Sequence, residues 1–214
     1  MIACDFDGTI TEHDTLHLLV DRFGDAGVWR HLHPELMAGR ITVENAMEKE
    51  ISTLRVYRET ALAEVRRSAG LRAGFGELVA FARDGGHRLY VLSNGFRTLI
   101  EDFLHHAGHG HLPVHSHDCA FDGDSVSISW AARGETCELC GRPCKRHDLS
   151  GLRGDDTVVY IGDGLSDRCV AQAADVIYAR AGLAEYLTEI GVPFRPFDDF
   201  HQITDDLTRM ADAA

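Results

Sequence analysis

Short apolar runs ending in Asp, Ser or Gly recur along the chain, and a helical stretch follows each. The clearest lie at 1–5, 88–93 and 157–163, with a fourth at 175–179. Four to eight apolar, often β-branched residues closed by a turn signal suit strands buried on both faces of a parallel sheet. Between them, 74–84, 97–107 and 166–174 carry apolar residues three and four apart, the period of crossover helices. The alternation predicts an α/β fold with a doubly wound, mostly parallel sheet. Such sheets bind ligands at the carboxyl ends of their strands. The polar residues that close three of these runs are therefore expected in one crevice.

Two segments break the alternation. Residues 14–71 hold no convincing strand but three amphipathic helical windows, at 15–23, 42–54 and 57–69. A helical block inserted after the first strand and returning at Gly70-Leu71-Arg72 predicts a small α-helical cap (14–71) over a catalytic core of 1–13 and 72–214. The second break is a β-hairpin excursion at 119–130, where Phe121-Asp122-Gly123-Asp124 precedes the alternating Ser125-Val126-Ser127-Ile128-Ser129-Trp130. The six histidines within 105–117 read as a solvated loop, too irregular for one helical face.

Composition narrows the class. The 214 residues allow one domain, with or without a smaller insert, and 44% apolar with 26% charged residues is globular. A net charge of −13 with no basic patch argues against nucleic acid and anionic membranes as partners. No apolar run reaches the roughly 18 residues of a membrane span, and the start Met1-Ile2-Ala3-Cys4-Asp5 has no signal-type stretch, so a cytoplasmic location is expected. There are only two lysines, Lys49 and Lys145. Each merits inspection.

The strongest chemical signal is Asp5-Phe6-Asp7-Gly8-Thr9-Ile10-Thr11. Two carboxylates at a strand end point the same way once the strand yields to a Gly-containing turn; solvated or capping acids are the plainer reading. Gly162-Asp163-Gly164-Leu165-Ser166-Asp167 repeats the arrangement at another strand end. Carboxylates gathered from neighbouring strands repel unless a cation sits among them, and oxygen-only ligands suit Mg²⁺. Ser93-Asn94-Gly95, read as ending the second strand and opening a helix, offers a hydroxyl and N–H groups to an anion. Lys145 adds an ammonium. A cation, a lysine and N–H donors beside a carboxylate nucleophile make a site for phosphoryl transfer.

Taken in order, Asp-x-Asp-Gly-Thr, the strand-end Ser, the Lys and Gly-Asp-Gly-x-x-Asp resemble the haloacid dehalogenase superfamily of phosphatases. The insert is similar to the small helical cap of its phosphoserine-phosphatase branch. Leu71-Arg72-Ala73-Gly74-Phe75, the hairpin, a cysteine cluster ending Cys144-Lys145, and Pro196-Phe197-Asp198-Asp199-Phe200 extend the likeness, over almost the whole chain, to the methionine-salvage keto-phosphate phosphatases. The resemblance implies that Asp5 attacks phosphorus to form an aspartyl-phosphate and that Asp7 serves as acid, then base. It implies Mg²⁺ held by Asp5, the Asp7 backbone carbonyl and Asp163, with Asp167 acting indirectly. Ser93, Asn94 and Lys145 would bind the phosphoryl oxygens, with help from Thr9. The partner is then a small phosphorylated metabolite: a sugar-, polyol- or keto-phosphate.

Substrate choice falls to the cap, where Asp14, Arg40 and Glu50 are candidates. Glu50 aligns with the arginine that phosphoserine phosphatases use for the substrate carboxylate, which disfavours phosphoserine. A phosphoethanolamine- or phosphocholine-type substrate is the alternative, because Glu50 or Asp14 could face a cation. A non-enzymatic zinc-binding module would have lost the nucleophile or the lysine, and neither is lost. Asn94 stands where the salvage enzymes are expected to carry glycine, and Gly164-Leu165-Ser166 also departs from them.

The six cysteines, without a secretion signal, point away from a disulfide framework. Cys4 and Cys169 read as small core residues. Cys137, Cys140 and Cys144 could hold a structural Zn²⁺ with Cys119, His117 or His147 as fourth ligand. A redox-sensitive pair and plain reduced thiols are the other readings.

Overall fold

The computed structural model describes residues 1–212. Strands β1 (Ile2–Cys4), β2 (Leu89–Phe96), β3 (Val114–Asp122), β4 (Ser125–Ser129), β5 (Val159–Gly162), β6 (Val176–Ala179) and β7 (Arg195–Pro196) form one sheet. Its order is β4-β3-β2-β1-β5-β6-β7, parallel except for the antiparallel β3–β4 pair. β1 lies between β2 and β5, with Ile2 opposite both Leu89 and Val159. The equal register sets Cys4, Val91 and Ile161 side by side, so Asp5, Ser93 and Asp163 follow within two residues of one level.

The insert after β1 contains α1 (Thr15–Phe23), α2 (Val28–Met37), α3 (Val43–Thr53) and α4 (Arg58–Ser68). Three of these lie where the apolar period put them. Local chemistry starts two: Asp14 accepts from the His17 amide at 2.9 Å, and Thr42 and Asn45 form a reciprocal capping box. The period missed α2, which carries Pro34 and buries only Leu32. Thr11 and Leu71 pair at the base of the insert, where the Glu12 amide also donates to Gly70.

The alternation of strand side chains sorts the core into two layers. Ile2 and Cys4 face the first, with Leu78 of α5 (Phe75–Asp84), Ile100 of α6 (Arg97–His106) and Ile203 of α10 (Phe200–Asp212). Met1 and Ala3 face the second, with Leu149 of α7 (Lys145–Arg153), Val170 of α8 (Arg168–Ala171) and Leu183 of α9 (Ala181–Glu189). Leu19, Ile51, Leu54, Leu62 and Val65 of the insert belong to the first layer. Each buried aliphatic chain contributes roughly 1.5–3 kcal/mol, so the base of the insert is fused to the core. The hairpin adds a polar grip: the Val56 amide donates to Asp124 at 2.7 Å, and Arg55 bridges to Ser125. No helix among the described residues is long and apolar enough to cross a membrane.

The structure departs from the sequence pattern in two places. The 105–117 stretch is not one solvated loop: His105 and His106 end α6, His109 meets the Phe75 ring edge-on, and His115 and His117 lie in β3, the latter buried. Polar His and Ser residues in that strand hid it from a hydrophobicity reading. Second, β2 does not end at Ser93 but runs to Phe96 with an irregularity after Leu92, so Ser93 caps no helix.

Candidate active site

At the end of β1 the chain makes a single π-type turn, Phe6–Ile10, in which Asp7 is extended and Gly8 has φ of +77°. A Cβ at Gly8 would lie 2.5 Å from Asp163 Oδ2. Glycine therefore lets the turn carrying Asp5 and Asp7 close on the tip of β5. Buried Arg72 staples the same turn, donating to the carbonyls of Thr9 at 2.7 Å, Gly8 at 2.8 Å and Thr11 at 3.1 Å, while Arg180 reaches Gly8 at 2.9 Å.

Lys145, in the first turn of α7, is fully buried. Its Nζ donates to Asp5 Oδ1 at 2.5 Å and to Asp167 Oδ1 at 2.7 Å. Asp167 also accepts from Tyr160 Oη at 2.6 Å and from the amides of Asp163 and Gly164 at 3.0 and 2.9 Å. It is fully used by the protein and orients Lys145 and the 163–164 turn. Thr9 donates to Asp163 Oδ1 at 2.8 Å. Asp5, Asp163 and Asp167 offer carboxylate oxygens within 4.8 Å of one another.

One ammonium among three carboxylates leaves excess negative charge. Burial, then the Asp167 charge, pushes the Asp5 carboxyl well above its ordinary range despite Lys145. The same causes lift Asp163 to about 6. Burial works against the Lys145 ammonium, but Asp167 and Asp5 outweigh it and hold its pKa above the ordinary value. One oxygen of Asp5 and one of Asp163 take no hydrogen bond among the described residues. Two hard oxygen donors on a negatively charged floor fit Mg²⁺.

Asp7 points elsewhere. Its Oδ1 accepts from the Thr15 amide at 2.8 Å and hydroxyl at 2.7 Å, and burial with the nearby Asp14 charge pushes it up to about 7. A Cβ at Gly95 would lie 2.5 Å from Asp7 Oδ2, so β2 approaches Asp7 closely. Ser93 accepts from the Gly95 amide at 2.8 Å.

Asp5, Asp7, Ser93, Asn94 and Asp163 line one cavity of about 820 Å³, whose far wall comes from the insert: Asp14, His17, Trp29, Met47 and Glu50. Glu50 is buried, with Oε1 3.1 Å from His17 Nε2 in an ion pair. Burial disfavours the charged imidazole, but Glu50 and Asp14 overcome it and raise His17 to about 9.

Other sequence candidates fall outside this arrangement. Arg40 is exposed and paired with Glu35 at 2.7 Å, away from the cavity. Asp14 lines the cavity but spends Oδ1 on capping α1. The Asn94 side-chain Oδ1 accepts from Arg133 at 2.7 Å. Cys119 is buried in β3, and the His117 Nδ1 accepts from the Ala131 amide, so neither joins the cysteine cluster; Cys169, read as a core residue, does. In the sequence Arg72 stands only as part of a motif, and Arg133 carries no local signal. Buried Arg133 donates to the Ser93 carbonyl at 3.0 Å and to Asp148 at 2.8 Å, fixing the loop behind Ser93.

Comparison with known proteins agrees with this geometry. Residues 2–172 match the family described as haloacid dehalogenase-like hydrolase. The 2-hydroxy-3-keto-5-methylthiopentenyl-1-phosphate phosphatase of Geobacillus kaustophilus (strain HTA426) is 36% identical over 98% of this chain and 96% of its own. The enzyme of the same name from Geobacillus thermodenitrificans (strain NG80-2) is 32% identical over the same shares. A solved phospho-aspartyl intermediate analogue of phosphoserine phosphatase superposes with a TM-score of 0.73 at 17% identity, covering 95% of this chain and 96% of that one, which shows a shared fold. The chain belongs to the haloacid dehalogenase-like hydrolases, as one of their phosphatases.

Proposed function

We propose that the chain hydrolyses a small phosphomonoester through an aspartyl-phosphate on Asp5, with residues 14–71 acting as a substrate-selecting cap on the remaining core. The observation that carries this reading is the placement of Asp5 against buried Lys145, with Asp7 held apart by Thr15 in the same cavity. Asp5, the Asp7 backbone carbonyl and Asp163 would hold Mg²⁺, which when bound offsets the negative charge of the phosphoryl group and the carboxylates.

The Asp5 carboxylate forms the new bond to phosphorus as the ester P–O bond breaks. Asp7, whose pKa near 7 suits both directions of transfer, gives its proton to the leaving alkoxide. It then takes a proton from the water that attacks the aspartyl-phosphate, so inorganic phosphate leaves and both carboxyl groups return to their starting states. Lys145 and the Ser93 hydroxyl hold the phosphoryl oxygens, and Asp167 keeps Lys145 in place.

Within this class we favour a keto-phosphate with a short apolar tail, of the kind named for the Geobacillus relatives. Trp29, Leu36, Val43 and Met47 give the cavity an apolar side. Glu50 has acceptor capacity left for a substrate hydroxyl. A cationic amino-alcohol head group competes with His17 for that carboxylate, while the carboxylate of phosphoserine meets Glu50. The cavity's arginine, Arg168, already lies over the Tyr186 ring.

Asp5→Asn tests the reading. Mg²⁺-dependent release of phosphate from p-nitrophenyl phosphate is expected to vanish, and undiminished turnover removes Asp5 as nucleophile. A panel of keto-, sugar- and amino-alcohol phosphates ranks the substrates; highest kcat/KM on an amino-alcohol phosphate overturns the keto-phosphate assignment.

A further inference from the structure

Away from the carboxylates, a second cluster of ligating atoms stands near the rim of the site. The sulfurs of Cys137, Cys140, Cys144 and Cys169 all lie within 4.8 Å of one another, and all four cysteines are free of disulfides. Four thiolates at about 2.3 Å from a tetrahedral zinc stand about 3.8 Å apart, so small side-chain adjustments complete such a site. Soft sulfur donors select zinc over the Mg²⁺ that suits the oxygen floor nearby.

Beyond Arg133, the segment that carries three of the thiols has little to hold it. Residues 130–144 form neither helix nor strand, and of them only Arg133 and Cys137 are buried. Leu139, which could have packed inward, is 51% exposed. A long loop without an apolar anchor is entropically costly to fix, and a structural metal offsets that cost. Its local turn already suits one: the Gly141 amide donates to the Cys137 carbonyl at 2.8 Å, folding Cys137-Glu138-Leu139-Cys140 back on itself.

We propose that Cys137, Cys140, Cys144 and Cys169 bind a structural zinc ion that clamps the Lys145 helix to the turn bearing Asp167. Zn²⁺ exchanges for the thiol protons, giving a tetrathiolate centre and no change in oxidation state. Cys144 immediately precedes Lys145, and Cys169 follows Asp167 by two residues in the chain. The ion therefore fixes, from outside, the two segments whose side chains meet at 2.7 Å inside. It also steadies Arg142, which reaches Glu44 at the start of α3 at 3.5 Å. The ion's role is positional, and the carboxylate chemistry does not pass through it.

The full chain, without an affinity tag and in buffer stripped of metals, is analysed for metal by mass spectrometry. About one zinc per chain is expected. Cobalt(II) exchanged into the protein should give the strong visible absorption of a tetrahedral thiolate site. Reaction with a thiol reagent should find four fewer accessible thiols before than after addition of a zinc chelator. Cys169→Ser should lose zinc to a chelator that the wild type withstands, whereas Cys119→Ser should keep it. Folded protein with no zinc, or with iron in its place, overturns the proposal. So does a Cys169→Ser variant that holds zinc as tightly as the wild type. These readouts do not involve phosphatase activity, so they fail or succeed apart from the reaction assigned to Asp5.

Discussion

Replacing Lys145 with methionine keeps the unbranched apolar stem, one atom shorter, and deletes the charge. Asp5 and Asp167 would then lack the ammonium that each touches, at 2.5 and 2.7 Å, in a region almost closed to solvent. Removing one member of a buried ion pair costs about 3–5 kcal/mol, because the partner is left uncompensated. At about 2–4 °C per kcal/mol for a chain of this size, the midpoint of thermal unfolding should fall by roughly 6–20 °C in EDTA. Mg²⁺ should recover part of this, since an ion at 100 times its Kd adds about 2.7 kcal/mol to the folded state. The variant, with more unpaired negative charge, should gain more from Mg²⁺ than the wild type. Its kcat should drop about 10²–10³-fold, the loss typical of removing one preorganised charge or donor from a transition state. Calorimetry with and without Mg²⁺, beside steady-state phosphate release, measures all three effects. A variant that melts with the wild type in EDTA would refute the charge balance drawn for the site.

Gly95→Ala should fold normally but force Asp7 Oδ2 aside from a contact of 2.5 Å. Relieving it takes a shift of about 1 Å, which costs about 10²-fold in kcat, and unchanged kinetics would show that Asp7 tolerates the shift. The His17–Glu50 pair sets a pH test: His17 is raised from 6.5 to about 9 by Glu50 and Asp14 against burial, with Asp7 a smaller contributor. Its stabilisation is therefore present in full below pH 6.5 and lost as pH rises through about 9. Glu50→Gln should flatten the fall in unfolding midpoint over that window; an unchanged slope would assign the pH dependence to other groups. Arg40→Ala, at an exposed pair with Glu35, should leave both the unfolding midpoint and KM unchanged.

Much of the floor of the site was legible because parallel strands advertise themselves as apolar runs closed by polar residues. Asp5, Ser93 and Asp163 could be placed together from that pattern alone. What stayed hidden was set by tertiary contacts. Cys169 sits on a four-residue helix far in sequence from Cys137, and no local spacing links them. Arg133 lies in an irregular loop, yet it is buried against Ser93 and Asp148. The cap candidates divided for the same reason. Glu50 faces the cavity because Ala46, Met47 and Ile51 turn that side of α3 inward, whereas Arg40 lies in the turn before it and found a partner in Glu35. Helix α2 escaped because a single buried leucine gives no period to read.

The contact between the β3–β4 hairpin and the α3–α4 connection has a kinetic consequence. With Arg55 and Val56 tied to Ser125 and Asp124, swinging the whole insert outward would strip backbone bonds as well as apolar packing. Helix α2 carries only Leu32 into the interior and contributes Trp29, His33 and Met37 to the cavity wall. The least obstructed route for substrate and phosphate is thus past α2, and the rate of entry and exit should answer to changes there while the hairpin contact stays intact.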